Sequence, residues 1–433
     1  MKISSYSIAK LFGTFSYTFS FEEKGNVIVI TGPNGYGKTT SLLILEELSR
    51  KNLYFFYKLR FDEISLCFDN GSKMEITSSL TWEHSETTKG EDILLTPYRS
   101  VLFTWYSTKG EACASITIND VLIQSAKSFY QRLRRNRESL EDFDTYIAAH
   151  PSMLELVLEP DIHHNYMDIL LYLEQLSVVY IPADRLREQN VQITNKYTVE
   201  NVAQSLSAKM QESRQIYYQS LSRSRNALVD NLLQHARAYD EKQYNEIKES
   251  LTEKISYLYA WGLIDFREIK TYKKEDASVL TVYMQELCST LSIYDELYPQ
   301  LKVFTQALQK KEFVNKNIRL HYERGIEVRL MNGESLDIKL LSSGEQNQII
   351  LLYRLILESK PGSLVLIDEP ELSLHLAWIR GMLDEYKSFA RTTDSQYLIS
   401  THSAAFISGQ WDTTYDLFEN NEEPEYEQGQ FER

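Results

Sequence analysis

Eight residues near the start of the chain, Gly32-Pro33-Asn34-Gly35-Tyr36-Gly37-Lys38-Thr39, constrain it more than any others. They spell G-x-x-x-x-G-K-[ST] and fall between an apolar run, Val27 to Ile30, and a segment patterned as a helix. A strand that turns through glycines into a helix aims several backbone N–H groups at one point, and that point suits a phosphate. Lys38 adds positive charge near the β and γ oxygens, and Thr39 offers a hydroxyl to Mg²⁺. Such a pattern arises by accident in roughly one in fifty chains of this size, and the strand-to-helix setting makes accident rarer. The reading is a nucleoside triphosphate site, with Gly32, Asn34, Gly35, Gly37, Lys38, Thr39 and Thr40 as binding residues.

The chain has 433 residues, 43% of them hydrophobic, enough for a sizeable core and two or three domains. No stretch approaches eighteen apolar residues, and Lys2 precedes serines rather than an apolar run. The expectation is a cytoplasmic protein with no membrane contact, anchor or signal. Cys67, Cys113 and Cys288 lie far apart without C-x-x-C spacing, which argues against a disulfide framework or a zinc knuckle and for reduced thiols in packed positions. A formal charge of −15 works against broad binding to a phosphate backbone, so any nucleic-acid contact must be local.

Before the loop, Phe15, Tyr17, Phe19 and Phe21 alternate with polar residues as in a half-buried antiparallel strand. Asn70-Gly71, flanked by Ile64, Leu66, Phe68 and by Met74, Ile76, predicts a hairpin. Short strand-like runs follow, such as Val101 to Tyr106, and from about 127 to 175 the pattern is helical. Lys127, Arg132, Arg134, Arg135 and Arg137 partly share one helix face there, which reads as a solvated surface or as a phosphate contact. His163-His164 with Asp161 and Asp168 fits no zinc spacing and reads as a solvated turn. Val178 to Ile181 predicts another strand.

Between about 200 and 313, Leu280, Met284, Leu287, Leu291, Tyr294, Tyr298 and Leu301 recur at heptad spacing. A more polar counterpart runs through Leu206, Met210, Tyr217, Leu221, Leu228, Leu232, Ile247 and Leu251. Two arms pairing as an antiparallel hairpin are expected, with an ordinary helical bundle as the alternative; a returning helix over 276–313, kinked by Pro299, would reach on the order of 55 Å.

A second set of site residues lies near the far end. Ile326, Val328 and Leu330, then Asn332-Gly333, then Leu336, Ile338 and Leu340 predict a hairpin leading into Leu341-Ser342-Ser343-Gly344-Glu345. Ser342 is placed to cap the following helix, whose free N–H groups suit a γ-phosphate. The buried-strand run Leu364 to Ile367 ends in Asp368-Glu369-Pro370, which puts two carboxylates at a strand's carboxyl end. Asp368 is the candidate magnesium ligand, and Glu369 the candidate general base for the attacking water. A further strand, Tyr397 to Thr401, delivers His402, which can donate to the γ-phosphate or the water.

In this order, the motifs resemble those of ABC-type ATPases of the SMC, Rad50, RecF and OLD group. The resemblance implies an α/β fold: an ABC ATPase head with a mixed sheet, helices and an antiparallel β subdomain, carrying an inserted helical or short coiled-coil arm domain. Its domains would be 1–199 and 314–433 for the head and 200–313 for the arm. It also implies ATP and Mg²⁺ as cofactors, Lys38 and Thr39 as the Walker A residues, and Asp368 and Glu369 as the Walker B pair. Ser342, Ser343, Gly344 and Glu345 would be the signature, Ser373 to His375 the D-loop region, and His402 the switch histidine. Arg185 to Gln189 is the candidate Q-loop. The family pattern further implies a homodimer or higher homo-oligomer through the ATP sites, one subunit's signature closing over the other's phosphate loop.

Ser343 and Glu345 depart from Leu-Ser-Gly-Gly-Gln in the manner of RecF and OLD relatives. OLD nucleases carry a TOPRIM domain after the histidine motif, yet 31 residues follow His402 here, and Asp142-Phe143-Asp144 lacks the strands such chemistry needs. Six glutamates against one arginine over 419–433 read as a solvated acidic tail. The compact form resembles the stand-alone ATPase subunits of antiphage systems such as PARIS and Septu, which work with a separate nuclease effector. The competing reading is a RecF-like or Rad50-like repair ATPase that clamps DNA. A transporter ATPase ranks third.

Overall fold

The computed structural model describes residues 1–85, 94–135, 142–183, 198–233, 238–265, 268–311, 313–372, 374 and 376–420. In chain order the strands are β1 (Ile3–Leu11), β2 (Phe15–Ser20), β3 (Val27–Thr31), β4 (Glu63–Phe68), β5 (Lys73–Ser85), β6 (Leu94–Tyr106) and β7 (Ala112–Asn119). They continue as β8 (Val178–Ile181), β9 (Lys316–His321), β10 (Gly325–Leu330), β11 (Ser335–Leu336), β12 (Leu364–Asp368), β13 (Gln396–Ser400) and β14 (Thr414–Asp416). Two compact units result. Described residues 1–183 and 359–420 belong to the first, and 198–358 to the second.

The first unit holds two sheets. One is antiparallel, in the order β2-β1-β4-β5-β6-β7. The other has the order β14-β3-β13-β12-β8, with every pair parallel. Strands buried on both faces read as continuous apolar runs. Val27 to Ile30, Leu364 to Ile367 and Tyr397 to Ile399 are such runs, and all are buried. The helix Lys38–Ser49 buries Leu42, Ile44, Leu45 and Leu48, and one apolar core joins them to Ile8 and Leu66 of the antiparallel sheet and Leu364 and Leu366 of the parallel one. Buried Gln396 ties the two sheets as well, accepting from Ile3 N–H at 2.8 Å and donating to Ile3 O at 2.6 Å. The expected α/β class is present, with the antiparallel strands gathered in a sheet of their own.

The Asn70-Gly71 hairpin forms as expected, with Leu66 opposite Met74 and Ile64 opposite Ile76. The unassigned runs after it become the long β5–β6–β7 meander. His163 and His164 lie on the helix Pro160–Glu174, not in a turn, and pair with Glu155 and Asp168. Among the described residues no group of three or more His, Cys, Asp or Glu side chains is arranged to hold a metal ion. Asp142 caps the helix Phe143–Ala149, while Asp144 accepts from Tyr54 and Lys58, so both carboxylates serve the fold. Lys127, Arg132 and Arg134 are exposed on the helix Asp120–Arg135; the Arg135 side chain and Arg137 lie outside the described residues. Cys113 is exposed rather than packed.

In the second unit, the helices Val199–Leu233, Glu241–Ala260, Ala277–Leu291 and Leu297–Lys310 replace the expected pair of arms. The heptad residues are used: Leu280, Met284, Leu287, Leu291, Tyr294 and Leu301 are all buried, and the rings of Tyr217 and Tyr294 lie 5.5 Å apart. The returning segment nonetheless breaks at the 3₁₀ turn Ser292–Tyr294. Pro299 falls in the first turn of Leu297–Lys310, where its missing N–H has no intrahelical partner to lose, and the interruption of the returning segment lies in the turn directly ahead of it.

Residues 314–358, expected with the head, cluster with these helices. The β9–β10 turn seats directly on Val199–Leu233: Ser207 Oγ donates to Tyr322 O at 2.9 Å and Glu323 O at 2.8 Å. Gly325, at φ +66°, comes so close that a Cβ there would sit 1.9 Å from Ala203 O. The strand expected over Leu336, Ile338 and Leu340 stops at Leu336, because the Asp337 carboxylate accepts from Lys339 N–H and starts a 3₁₀ turn.

Candidate nucleotide site

The parallel register sets the site. Asp368 pairs with Ser400, and Ser400 with Ile30, so β12, β13 and β3 end at one level. Such carboxyl edges are where parallel sheets bind ligands. Glu369 N–H donates to Ser400 O at 3.0 Å and Thr401 N–H to Ile30 O at 3.0 Å, which carries the alignment one residue past the strands.

From β3 the chain passes through the loop 32–37 into the helix Lys38–Ser49. The first backbone bond into that helix runs from Ser41 N–H to Gly37 O, so the amides ahead of it lack intrahelical acceptors. Gly37 is required twice over: its φ is +86°, and a Cβ would lie 2.6 Å from Leu11 Cδ2. Lys38 is buried, its ammonium donating to Gly32 O and Pro33 O at 2.8 Å each. Burial lowers its pKa, and the carboxylates of Glu369, Asp368 and Asp416 partly offset that shift. Thr39 is exposed, and its hydroxyl lies 3.2 and 3.0 Å from the two Asp368 oxygens. Asp368 itself is 5% exposed and also accepts from Ser400 Oγ.

A hydroxyl beside a carboxylate is a hard-oxygen pair of the kind Mg²⁺ prefers. Thr39 and Asp368 therefore fit that ion.

Glu369 follows at φ +46°, a left-handed conformation that costs a non-glycine residue energy. Its Oε1 lies 3.5 Å from His402 Nε2. Walker-type residues 329 apart in sequence are thus brought together with the histidine expected beside them. Ser373 and His375 of the D-loop region and Arg185 to Gln189 lie outside the described residues, as does the acidic tail beyond residue 420.

Sequence reasoning missed three contributors. Glu371 Oε1 accepts from Thr401 Oγ1 at 2.6 Å and from His402 N–H at 3.0 Å, so it holds the turn that carries His402. Ser400 holds Asp368. Asp416, at the end of β14, accepts from Thr31 Oγ1 at 3.1 Å beside the loop. A carboxylate three residues past Asp368 was a usable signal for Glu371; nothing local marks Asp416.

In the second unit, the proposed signature starts the helix Ser343–Tyr353 with a reciprocal cap. Ser342 Oγ accepts from Glu345 N–H, and Glu345 Oε2 accepts from Ser342 N–H at 2.8 Å. Ser342 and Ser343 are both exposed.

The chain matches the family model described as AAA ATPase domain (AAA_15) over residues 1–407. None of the curated proteins matches it in sequence. Similar solved structures include an Smc head bound to the C-winged helix domain of ScpA, at 12% identity over 94% of this chain and 91% of that one, with a TM-score of 0.35. An Smc head with an extended coiled coil bound to the C-terminal domain of ScpA from Pyrococcus furiosus is 14% identical over 94% and 91%, with a TM-score of 0.34. The SMC head domain from Thermotoga maritima is 12% identical over 94% and 92%, with a TM-score of 0.31. The family match spans the phosphate loop, Asp368-Glu369 and His402, and the chain belongs to the AAA ATPase domain family.

Proposed function

We propose that the chain binds Mg-ATP on the loop 32–40, hydrolyses it to ADP and phosphate, and works as a homo-oligomer closed through its ATP sites. Family membership carries nucleotide binding and ATPase chemistry in the general sense. The observation that carries the finer reading is the convergence of Thr39, Asp368, Glu369 and His402 on one strand edge.

Lys38 and the free amides of the loop bind the phosphates. Thr39 and Asp368 would hold Mg²⁺, which when bound neutralises charge on phosphate oxygens. Glu369 accepts the proton of the attacking water, and His402 Nε2 steadies that carboxylate or the water. The exposed hydroxyl of Ser343, with the amides of the helix start, is the expected donor to a triphosphate held by a second subunit, while Ser342, whose hydroxyl donates to Glu345 Oε2, serves that helix start as its cap.

Glu369→Gln tests this reading. The variant should bind ATP, release no phosphate and accumulate as a dimer in light scattering; phosphate release at the wild-type rate would remove Glu369 from its role.

We further propose that the oligomer senses an infection signal and controls a separate nuclease effector in antiphage defence. Support comes from the resemblance of the signature form. Co-purification with the product of the flanking gene tests it. The repair reading is supported by Lys127, Arg132 and Arg134, exposed on one helix. It requires turnover that rises with added DNA and binding that weakens steeply with salt.

A further inference from the structure

The start of the helix Ser343–Tyr353 carries an anion where, on the reading above, another anion must arrive. Glu345 is the third residue of that helix, and its side chain is 8% exposed. A carboxylate here satisfies the helix dipole, but the same positive end is what attracts a phosphate, so the two compete. A neutral glutamine would not compete in this way.

Lys316, the first residue of β9, resolves the conflict. Its Nζ lies 2.8 Å from Glu345 Oε1, and its own side chain is 21% exposed. The other carboxylate oxygen, Oε2, is left for the Ser342 N–H at 2.8 Å and the Ser342 hydroxyl at 2.9 Å. One cation thus cancels the charge and fixes which oxygen faces the serine. Burial raises the Glu345 pKa, but the bonds from Lys316 and Ser342 outweigh it, and the carboxyl stays below its ordinary range and ionised. These three residues belong to the same unit, and no nucleotide is needed to form the contact.

We propose that Lys316 is a positioning residue for the signature segment: it neutralises Glu345 and locks it onto Ser342, so that the helix start can receive a triphosphate. The proposal rests on the ATP-closed dimer above. It gives a physical reason why Glu345 can stand where the family pattern has glutamine.

The test uses full-length protein carrying Glu369→Gln, titrated with Mg-ATP and followed by light scattering, with the thermal midpoint recorded for each variant. Lys316→Met should need about tenfold more ATP to dimerise, a shift of the size usual for coupling between two sites. Lys316→Arg should keep most of the response. Adding Glu345→Gln to Lys316→Met should restore it, because glutamine can still accept from the Ser342 amide and removes the excess charge. Dimerisation of Lys316→Met at the parent's ATP concentration overturns the proposal. Failure of the double variant to recover also overturns it, since the pair would then be a structural tie. If the Glu369→Gln parent never dimerises, the closed-dimer reading falls and takes the proposal with it.

Discussion

The Thr39 hydroxyl stands 3.0 Å from Asp368 Oδ2, joining the beginning of a helix to the end of a strand 329 residues later. The contact couples the phosphate loop to the acidic strand edge, and it sets a hydroxyl and a carboxylate, oxygen donors of the kind Mg²⁺ accepts, side by side.

Asp368→Asn keeps the shape of the side chain and its room beside Ser400 while removing the charge. ATP turnover should drop by about 100-fold, the scale of losing a preorganised electrostatic group. Steady-state phosphate release against magnesium concentration measures it, and a variant of unchanged turnover would show that Asp368 holds no metal.

Glu371 acts on His402 through the backbone. Its Oε1 takes both bonds, so Glu371→Gln retains an acceptor and Glu371→Ala does not. The alanine variant should lose kcat with KM for ATP little changed, while the glutamine variant stays near wild type. Equal losses in the two would mean that the charge matters and the positioning does not.

Gly37→Ala should disable the loop. The substitution forces a side chain into φ +86° and against Leu11 Cδ2. Backbone strain of this kind costs about 1–3 kcal/mol, and it falls on the segment that carries the phosphate-binding amides. Isothermal titration with ATP should show loss of binding together with a lower thermal midpoint.

Ser342 and Ser343 separate cap from donor. Ser342→Ala removes a helix cap and should destabilise by about 1 kcal/mol, whereas Ser342→Gly should cost only a few tenths. Ser343→Ala, past the cap, should leave thermal unfolding unchanged and weaken ATP-driven dimerisation. Unfolding curves beside light scattering distinguish the two serines.

Much of the first unit was legible because its signals are local. The strand-turn-helix at Gly32 to Thr39, the Asn70-Gly71 hairpin and the apolar runs ending at Asp368 and before His402 are each read within a dozen neighbouring residues. The helical region was legible only as helical. Heptad residues such as Leu287 and Tyr294 are buried as the spacing required, but the same spacing serves a bundle and a pair of arms. Which forms depends on where the helices are interrupted, one such place being the 3₁₀ stretch Ser292–Tyr294. Residues 314–358 cluster with the second unit through contacts invisible in any window, among them the seating of Gly325 on the backbone of Ala203.

Sequence alone determined the chemistry on offer: a lysine and a threonine on a glycine loop, two carboxylates after a strand, a histidine after another, and a serine-glutamate helix cap. Each is a short-range arrangement, dictated by backbone geometry and side-chain type over a few residues. Tertiary structure decided which of these groups meet. Parallel pairing aligned Asp368 with Ser400 and Ser400 with Ile30, and it recruited Glu371 and Asp416 to the same edge. It also set Lys316 against Glu345. Contacts of that range depend on strand register and on the burial shared by distant segments, and no single stretch of the chain encodes them.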